Sequence, residues 1–84
     1  MENYFFKDDE ILTVDLHYMR EWEAVLYLNK IMQIAPNSVR EIVVIHGYHN
    51  GLKLLNMVRK DYKNPRIKKK FISLNQGVTS LILK

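Results

Sequence analysis

Residues 41–51 read EIVVIHGYHNG, a run of β-branched apolar residues that ends in two histidines and two glycines. Such a continuous apolar run indicates a strand that is covered on both faces. Residues 11–17, ILTVDLH, alternate apolar and polar side chains, which is typical of a strand with one buried face. Between the two runs, residues 20–34 place apolar side chains at helical spacing. This order predicts two parallel strands joined by a right-handed crossover.

The rest of the chain predicts a second helix and a hairpin. Asn50 is placed to cap that helix, and the pair Asn64–Pro65 ends it. Residues 67–74 and 78–83 then flank an NQG turn, in which Gly77 suits a left-handed conformation. The order β-α-β-α-β-β predicts an α/β two-layer sandwich, with a four-stranded mixed sheet and two helices on one face.

The length of 84 residues suits one domain, which we place at residues 11–84, after an N-terminal arm at residues 1–10. The absence of cysteine excludes disulfides and thiolate metal sites. The first ten residues lack the pattern of a signal peptide, and no apolar run is long enough for a membrane span. These features predict a cytoplasmic protein that has no contact with membranes.

Charge is distributed unevenly along the chain. Residues 1–51 carry eight acidic and four basic side chains, whereas residues 52–84 carry nine basic side chains and one acidic side chain. A basic half of this density is typical of proteins that bind nucleic acid. The alternative is a solvated surface that only keeps the protein soluble.

All three histidines follow the predicted parallel strands, where ligands bind in open α/β sheets. His17 shares a strand face with Asp15, and a carboxylate beside an imidazole can orient it as a general base. The alternative is a structural pair that ties the strand to the next loop. His46 and His49 follow the second strand. Three imidazoles and one carboxylate also suit zinc, which is the minority interpretation, and we predict no cofactor.

Two short motifs carry a family resemblance. VDLHYM, residues 14–19, resembles the LDLHG motif of the small MutS-related (Smr) domain, and IHGYHNG, residues 45–51, resembles its HGKGTG motif. The element order and the closing GVTSLIL are also similar to that family. The resemblance implies a fold like the C-terminal domain of translation initiation factor 3. It further implies DNA or RNA binding and, in some members, nicking or RNA cleavage.

The matching positions define the candidate catalytic residues. By resemblance, Asp15 and His17 correspond to the acid and the histidine of the first motif, and His46 corresponds to the histidine of the second. Gly47 and Gly51 match glycines of the second motif. These matches favour an Smr-type site at the strand ends.

Three departures fall in the same motifs. Tyr18 replaces the glycine of the first motif, and Tyr48 and His49 replace the lysine and the next glycine of the second. The missing lysine leaves enzymatic activity open, whereas the tyrosines can stack on bases or act as lids over the histidines. The predicted nucleic-acid-binding residues are Gly47, Tyr48, His49, Asn50, Gly51, Tyr18, Arg40, Lys53 and Arg59.

A further pattern lies on the first helix. Tyr18, Trp22 and Leu26 recur at four-residue spacing, off the predicted core stripe, and we call them the Trp22 ridge. An exposed apolar ridge predicts a homodimer or a protein partner. The alternatives are a wide core stripe or cover by residues 4–6.

The sequence therefore favours an Smr-like domain that binds DNA or RNA through the strand ends and nearby basic residues. Two alternatives stay open. One is a weak, metal-independent nicking endonuclease or endoribonuclease that uses Asp15, His17 and His46. The other is a protein-interaction module that uses the Trp22 ridge.

Overall fold

Strands and helices alternate along the chain in the computed structural model, which describes residues 4–6 and 10–84. The elements are β1 (Tyr4–Phe6), β2 (Ile11–Asp15), α1 (Glu21–Ile34), β3 (Glu41–Ile45), α2 (Lys53–Asn56), a π-helical segment (Met57–Asp61), β4 (Ile67–Phe71) and β5 (Val78–Leu83). Within these described residues the strands form one sheet in the order β1-β2-β3-β5-β4. β2 and β3 are parallel, and the other pairs are antiparallel. The predicted β-α-β-α-β-β fold is confirmed.

The sheet has one strand more than the sequence predicted. Residues 4–6 of the predicted arm form β1, which pairs with β2, while residues 1–3 and 7–9 lie outside the described residues. Tyr4 pairs with Val14 and Phe6 with Leu12, so β1 covers the edge of β2 that faces away from β3. Covering that edge satisfies backbone groups that a peripheral strand would otherwise expose.

Both helices pack on one face of the sheet. The core that they share with β2, β3 and β5 includes Leu12, Val14, Leu28, Ile31, Ile42, Val44, Met57, Val58, Leu81 and Leu83. Burial of each such side chain contributes about 1.5–3 kcal/mol. On the opposite face, Val43 and Ile45 of β3 are only partly buried, so the predicted cover on both faces is wrong.

The second helix departs from its predicted form. Leu52 is its N-cap, without a side-chain hydrogen bond, so Asn50 is not the cap. After Asn56 the backbone widens into the π-helical segment, and the Tyr62 N–H donates to the Met57 carbonyl at 2.7 Å. This wider turn directs Met57 into the core, a shift that a regular 3.6-residue period does not predict.

The hairpin loop is longer than predicted. β4 ends at Phe71, so residues 72–77 join it to β5. Gly77 is absent from the positive-φ positions of the described residues, and the predicted left-handed conformation is wrong. Instead, the Asn75 side chain accepts the Gly77 N–H at 2.9 Å, which is an Asx-type turn.

Two basic side chains of the C-terminal half have structural partners. Arg66 on the β4 side donates to the carbonyls of Met32 and Ala35 at 2.7 and 2.8 Å, and so satisfies the C-terminus of α1. Lys70 donates to the Tyr62 carbonyl at 2.6 Å. Part of the basic half therefore stabilises the fold.

In the described part of the chain, no helix has the length and apolarity that a membrane crossing requires.

The Trp22 ridge lies on the surface. Trp22 is 62% exposed, Leu26 is 60% exposed, and both stand on the side of α1 away from the core. The alternative of a wide core stripe is therefore wrong for these two positions.

We expect Trp22→Ala to change the free energy of unfolding by less than about 1 kcal/mol, because an exposed side chain leaves no cavity. Leu28→Ala, in the core face of the same helix, is the matched control and should lose about 2–5 kcal/mol. Urea denaturation measures both values. A loss for Trp22→Ala as large as that of the control would contradict the surface placement.

Candidate functional site

The carboxyl ends of β2 and β3 open onto a cavity of about 520 Å³, which we call the strand-end cavity. Its lining comes from residues 17–19 after β2, from Glu21, from residues 45–51 at the end of β3 and the turn that follows, and from residues 53 and 54. The predicted site residues that it brings together are His17, Tyr18, His46, Gly47, Tyr48, His49, Asn50, Gly51 and Lys53. Two separate motifs thus converge on one cavity.

Asp15 stands behind His17 at the end of β2. The Asp15 carboxylate accepts hydrogen bonds from the His17 backbone N–H, at 3.1 Å, and from the His17 Nδ1–H. This pairing leaves Nε2 as the ring nitrogen that a ligand can approach, and in the neutral ring Nε2 accepts a proton or a hydrogen bond. Asp15 and His17 therefore have the arrangement of an orienting carboxylate and a general base.

Tyr18 has an unusual backbone conformation. Its φ is 71°. Within residues 4–6 and 10–84, no other residue except glycine has a positive φ. A left-handed conformation costs a residue with a side chain on the order of 1–3 kcal/mol, and Tyr18 is 78% exposed, so burial of its ring does not offset that cost. Tyr18 therefore adopts a backbone conformation that would suit glycine, which is the residue of the related motif at this position.

We expect Tyr18→Gly to raise the free energy of unfolding by between zero and about 2 kcal/mol, because glycine adopts this conformation without strain. Tyr48→Gly is the matched control, since the Tyr48 backbone lies outside the left-handed region, and it should be destabilising. Urea denaturation compares the two. A loss of stability in Tyr18→Gly as large as in the control would contradict the strain at Tyr18.

His46 is buried, at 3% exposure, and both ring nitrogens have protein partners. Nδ1 lies 2.9 Å from the Gly47 carbonyl oxygen, and Nε2 lies 2.8 Å from Thr79 Oγ1. A carbonyl only accepts, so Nδ1 carries the proton, and the Thr79 hydroxyl donates to Nε2. Arg59 Nε–H in turn donates to Thr79 Oγ1 at 2.7 Å.

Burial favours the neutral form of the His46 ring. Burial lowers the pKa of the His46 imidazole below its ordinary value, the Gly47 carbonyl partly opposes that effect, and Arg59 adds a smaller lowering effect. A neutral ring with both nitrogens engaged does not present an acidic proton to a ligand. The geometry therefore does not support a role as catalytic acid for His46, one of the three predicted catalytic residues.

Stability should fall as pH decreases below about 6.5, the ordinary pKa of histidine. The unfolded chain takes up a proton there, while the folded state, with its lowered pKa, does not, so the proton favours unfolding. Urea denaturation between pH 7.5 and 5 measures this slope, which His46→Gln should reduce. His49→Gln, which removes an exposed imidazole, is the matched control. An unchanged slope in His46→Gln would contradict the assignment.

Both glycines of the turn after β3 have backbone conformations with positive φ. Gly47 has φ +71° and Gly51 has φ +116°. The Gly47 N–H donates to the Gly77 carbonyl at 3.0 Å, and the Gly51 N–H donates to the Tyr48 carbonyl at 3.3 Å. These two N–H groups are therefore engaged and do not hold a phosphate.

The three predicted basic contacts have different positions. Lys53 lines the strand-end cavity and is exposed. Arg59 is engaged behind it, because its side chain also donates to the carbonyls of Val78 and Asn75 at 3.0 and 3.2 Å. Arg40 precedes β3 and therefore lies at the opposite end of the sheet from the cavity. Of the three, only Lys53 is placed to contact a ligand in the cavity.

The zinc interpretation has no ligand set in the described part of the chain. No group of three His, Cys, Asp or Glu side chains there comes close enough to hold a metal ion. The reason is that the His46 ring points into its hydrogen-bonded pocket rather than towards His17 and His49.

Thr79 is a site residue that sequence reasoning missed. It is buried beneath the cavity and joins His46 to Arg59. The signal was weak: a hydroxyl on the core face of an otherwise apolar strand, VTSLIL, indicates a buried polar partner.

One solved structure supports the resemblance. The Smr domain of Thermus thermophilus MutS2 matches 86% of this chain and 96% of its own length, with a TM-score of 0.74 and 20% sequence identity. No family model matches the sequence, and neither does any curated protein. The chain therefore has an Smr-like fold.

Proposed function

We propose that this protein binds nucleic acid, DNA or RNA, in the strand-end cavity. The observation that carries the proposal is the convergence of four aromatic or imidazole rings and a lysine on that one cavity: His17, Tyr18, Tyr48, His49 and Lys53. The Smr-like fold and the two motif resemblances support it.

Ring stacking is the first source of affinity. Tyr48 and His49 are stacked on each other, with ring centroids 4.3 Å apart and planes inclined by 28°. His17 and Tyr18 also have centroids 4.3 Å apart, at 55°. Aromatic side chains that stack on bases contribute about 1–3 kcal/mol per base. These two ring pairs border the cavity from the ends of different strands.

Electrostatic attraction is the second source, and it is smaller than the charge of the basic half suggests. Arg59, Arg66 and Lys70 already donate to partners within the protein. Lys84 follows β5, whose end pairs with the start of β3, so it lies at the end of the sheet away from the cavity. Glu21 lines the same cavity as the exposed Lys53 and reduces its net positive charge. We infer a binding mode with few phosphate contacts.

Cleavage is not part of the proposed function. The Asp15–His17 pair supplies a candidate base, but a cleaving site also needs an acid and a group that stabilises phosphoryl charge. His46 is buried and neutral, and the lysine of the related motif is Tyr48 here. The endonuclease alternative therefore lacks an acid at His46 and the lysine of the related motif.

Binding should be measured by fluorescence anisotropy with 12-nucleotide strands of RNA and of DNA, titrated with salt. We expect an affinity that decreases with salt along a shallow slope, because each phosphate contact contributes about −0.7 to the slope for single strands. Lys53→Gln should weaken binding and reduce the slope by about that amount.

Lys30→Gln is the matched control, because Lys30 is an equally exposed lysine on the far part of α1. It should leave both the affinity and the slope unchanged. Failure to bind either strand at low salt would refute the proposal. An equal effect of the two lysine variants would contradict the location of the binding site in this cavity.

A further inference from the structure

We infer that the strand-end cavity admits an unpaired nucleobase, so that the protein selects single-stranded or extrahelical nucleotides over intact duplex. This inference rests on the proposed function and specifies which form of nucleic acid the same site takes.

The interior of the cavity is apolar. Met19 and Leu54 line it, and each is only partly buried, so their apolar atoms face the open space. A phosphate gains nothing from such a surface, because it would lose hydration without finding donors there. A flat heteroaromatic ring, in contrast, is suited to an apolar interior with a few polar groups at its edge.

The polar groups at the edge suit the periphery of a base. His17 presents Nε2, because Nδ1 is bound to Asp15, and Asn50 lines the cavity with an amide that both donates and accepts. The Lys53 ammonium is then available for the phosphate of the same nucleotide. One base and one phosphate account for the polar groups that the cavity offers.

Charge around the cavity argues against duplex. Duplex binding without base contacts depends on several lysine or arginine side chains that neutralise phosphates. Here Lys53 is accompanied by Glu21, the N–H groups of Gly47 and Gly51 are engaged, and Arg59 is hydrogen-bonded behind the cavity. Among the described residues that line the cavity, Lys53 is the only lysine or arginine, so the rings must supply much of the affinity there, and a paired base does not expose its faces to them.

The Tyr18 ring gives independent support. Its backbone is held in a left-handed conformation although the side chain is 78% exposed and finds no burial that would offset the strain. Strained residues of this kind concentrate at ligand sites. The conformation projects an aromatic ring from the end of β2 over a cavity whose other border carries Tyr48.

The test compares three 12-nucleotide ligands of the sugar type that the protein binds: a pyrimidine single strand, an abasic strand of the same length and charge, and the blunt duplex. Fluorescence anisotropy at low salt gives the dissociation constants. We expect the single strand to bind about 5- to 150-fold more tightly than the abasic strand, which corresponds to the stacking of one base. The duplex should also bind more weakly than the single strand.

Two variants locate the effect. Tyr48→Ala should bring the affinity for the single strand close to that for the abasic strand, and Tyr18→Gly should do the same in part while retaining the backbone conformation. Phe71→Ala is the matched control, because Phe71 is an aromatic residue at 58% exposure that does not line the cavity. It should leave the preference intact.

The outcomes separate the inference from the proposed function. Equal affinity for the three ligands, or a preference for duplex, would overturn the inference and leave nucleic-acid binding in place. A preference for the single strand that persists in both Tyr48→Ala and Tyr18→Gly would also overturn it. Absence of binding to all three ligands would refute the proposed function itself.

Discussion

The parallel pairing of β2 and β3 is the constraint on which the site depends. The register sets Asp15 opposite Ile45, and the Leu16 N–H donates to the Ile45 carbonyl at 2.7 Å, so the two strands stop at the same level. Two segments that are distant in the sequence therefore leave the sheet side by side. Strand alternation then directs Leu16 and His46 towards the helices, while the residues that follow form the border of the cavity. A slip of one residue in either strand would reverse these directions and dismantle the site.

His46 shows how a residue in a site motif can have an architectural role. Its ring joins the turn after β3 to β5 through Gly47 and Thr79, and Arg59 extends the connection to the π-helical segment. Loss of one partner from such a buried network leaves an unsatisfied polar group, at a cost of about 1–3 kcal/mol. The network thus holds the turn, and with it Tyr48 and His49, in position. His17 is exposed, its Nδ1 is bound to Asp15, and its Nε2 remains free at the cavity.

The sequence was informative where one local pattern had one structural consequence. Alternation in residues 11–17, helical spacing in residues 20–34 and the apolar run of residues 41–45 each led to the observed element, and the two motifs identified the convergent strand ends. Charge counts were a weaker guide, because they do not show which cations bind within the protein. Arg66 illustrates this limit: its partners are carbonyls more than thirty residues away, at the end of α1. The π-helical segment and the Gly77 conformation likewise depend on packing that no local pattern encodes.

The departures from the related motifs all place rings at the cavity. Replacement of the motif lysine by Tyr48 removes a point charge and adds a ring, and Tyr18 adds a second ring where a glycine would be less strained. His49 adds a third, stacked on Tyr48. The change at Tyr48 exchanges attraction for phosphate, which salt screens, for stacking, which salt affects much less, and the other two changes add ring surface where the related motifs have glycine. Arg59, the cation that stands nearest to His46 in the network, is meanwhile fixed by hydrogen bonds to β5 and the hairpin loop. Because Tyr48 stands in place of a cation, Arg59 is engaged within the protein, and three rings border the cavity, its chemistry favours the faces of bases over the phosphate backbone.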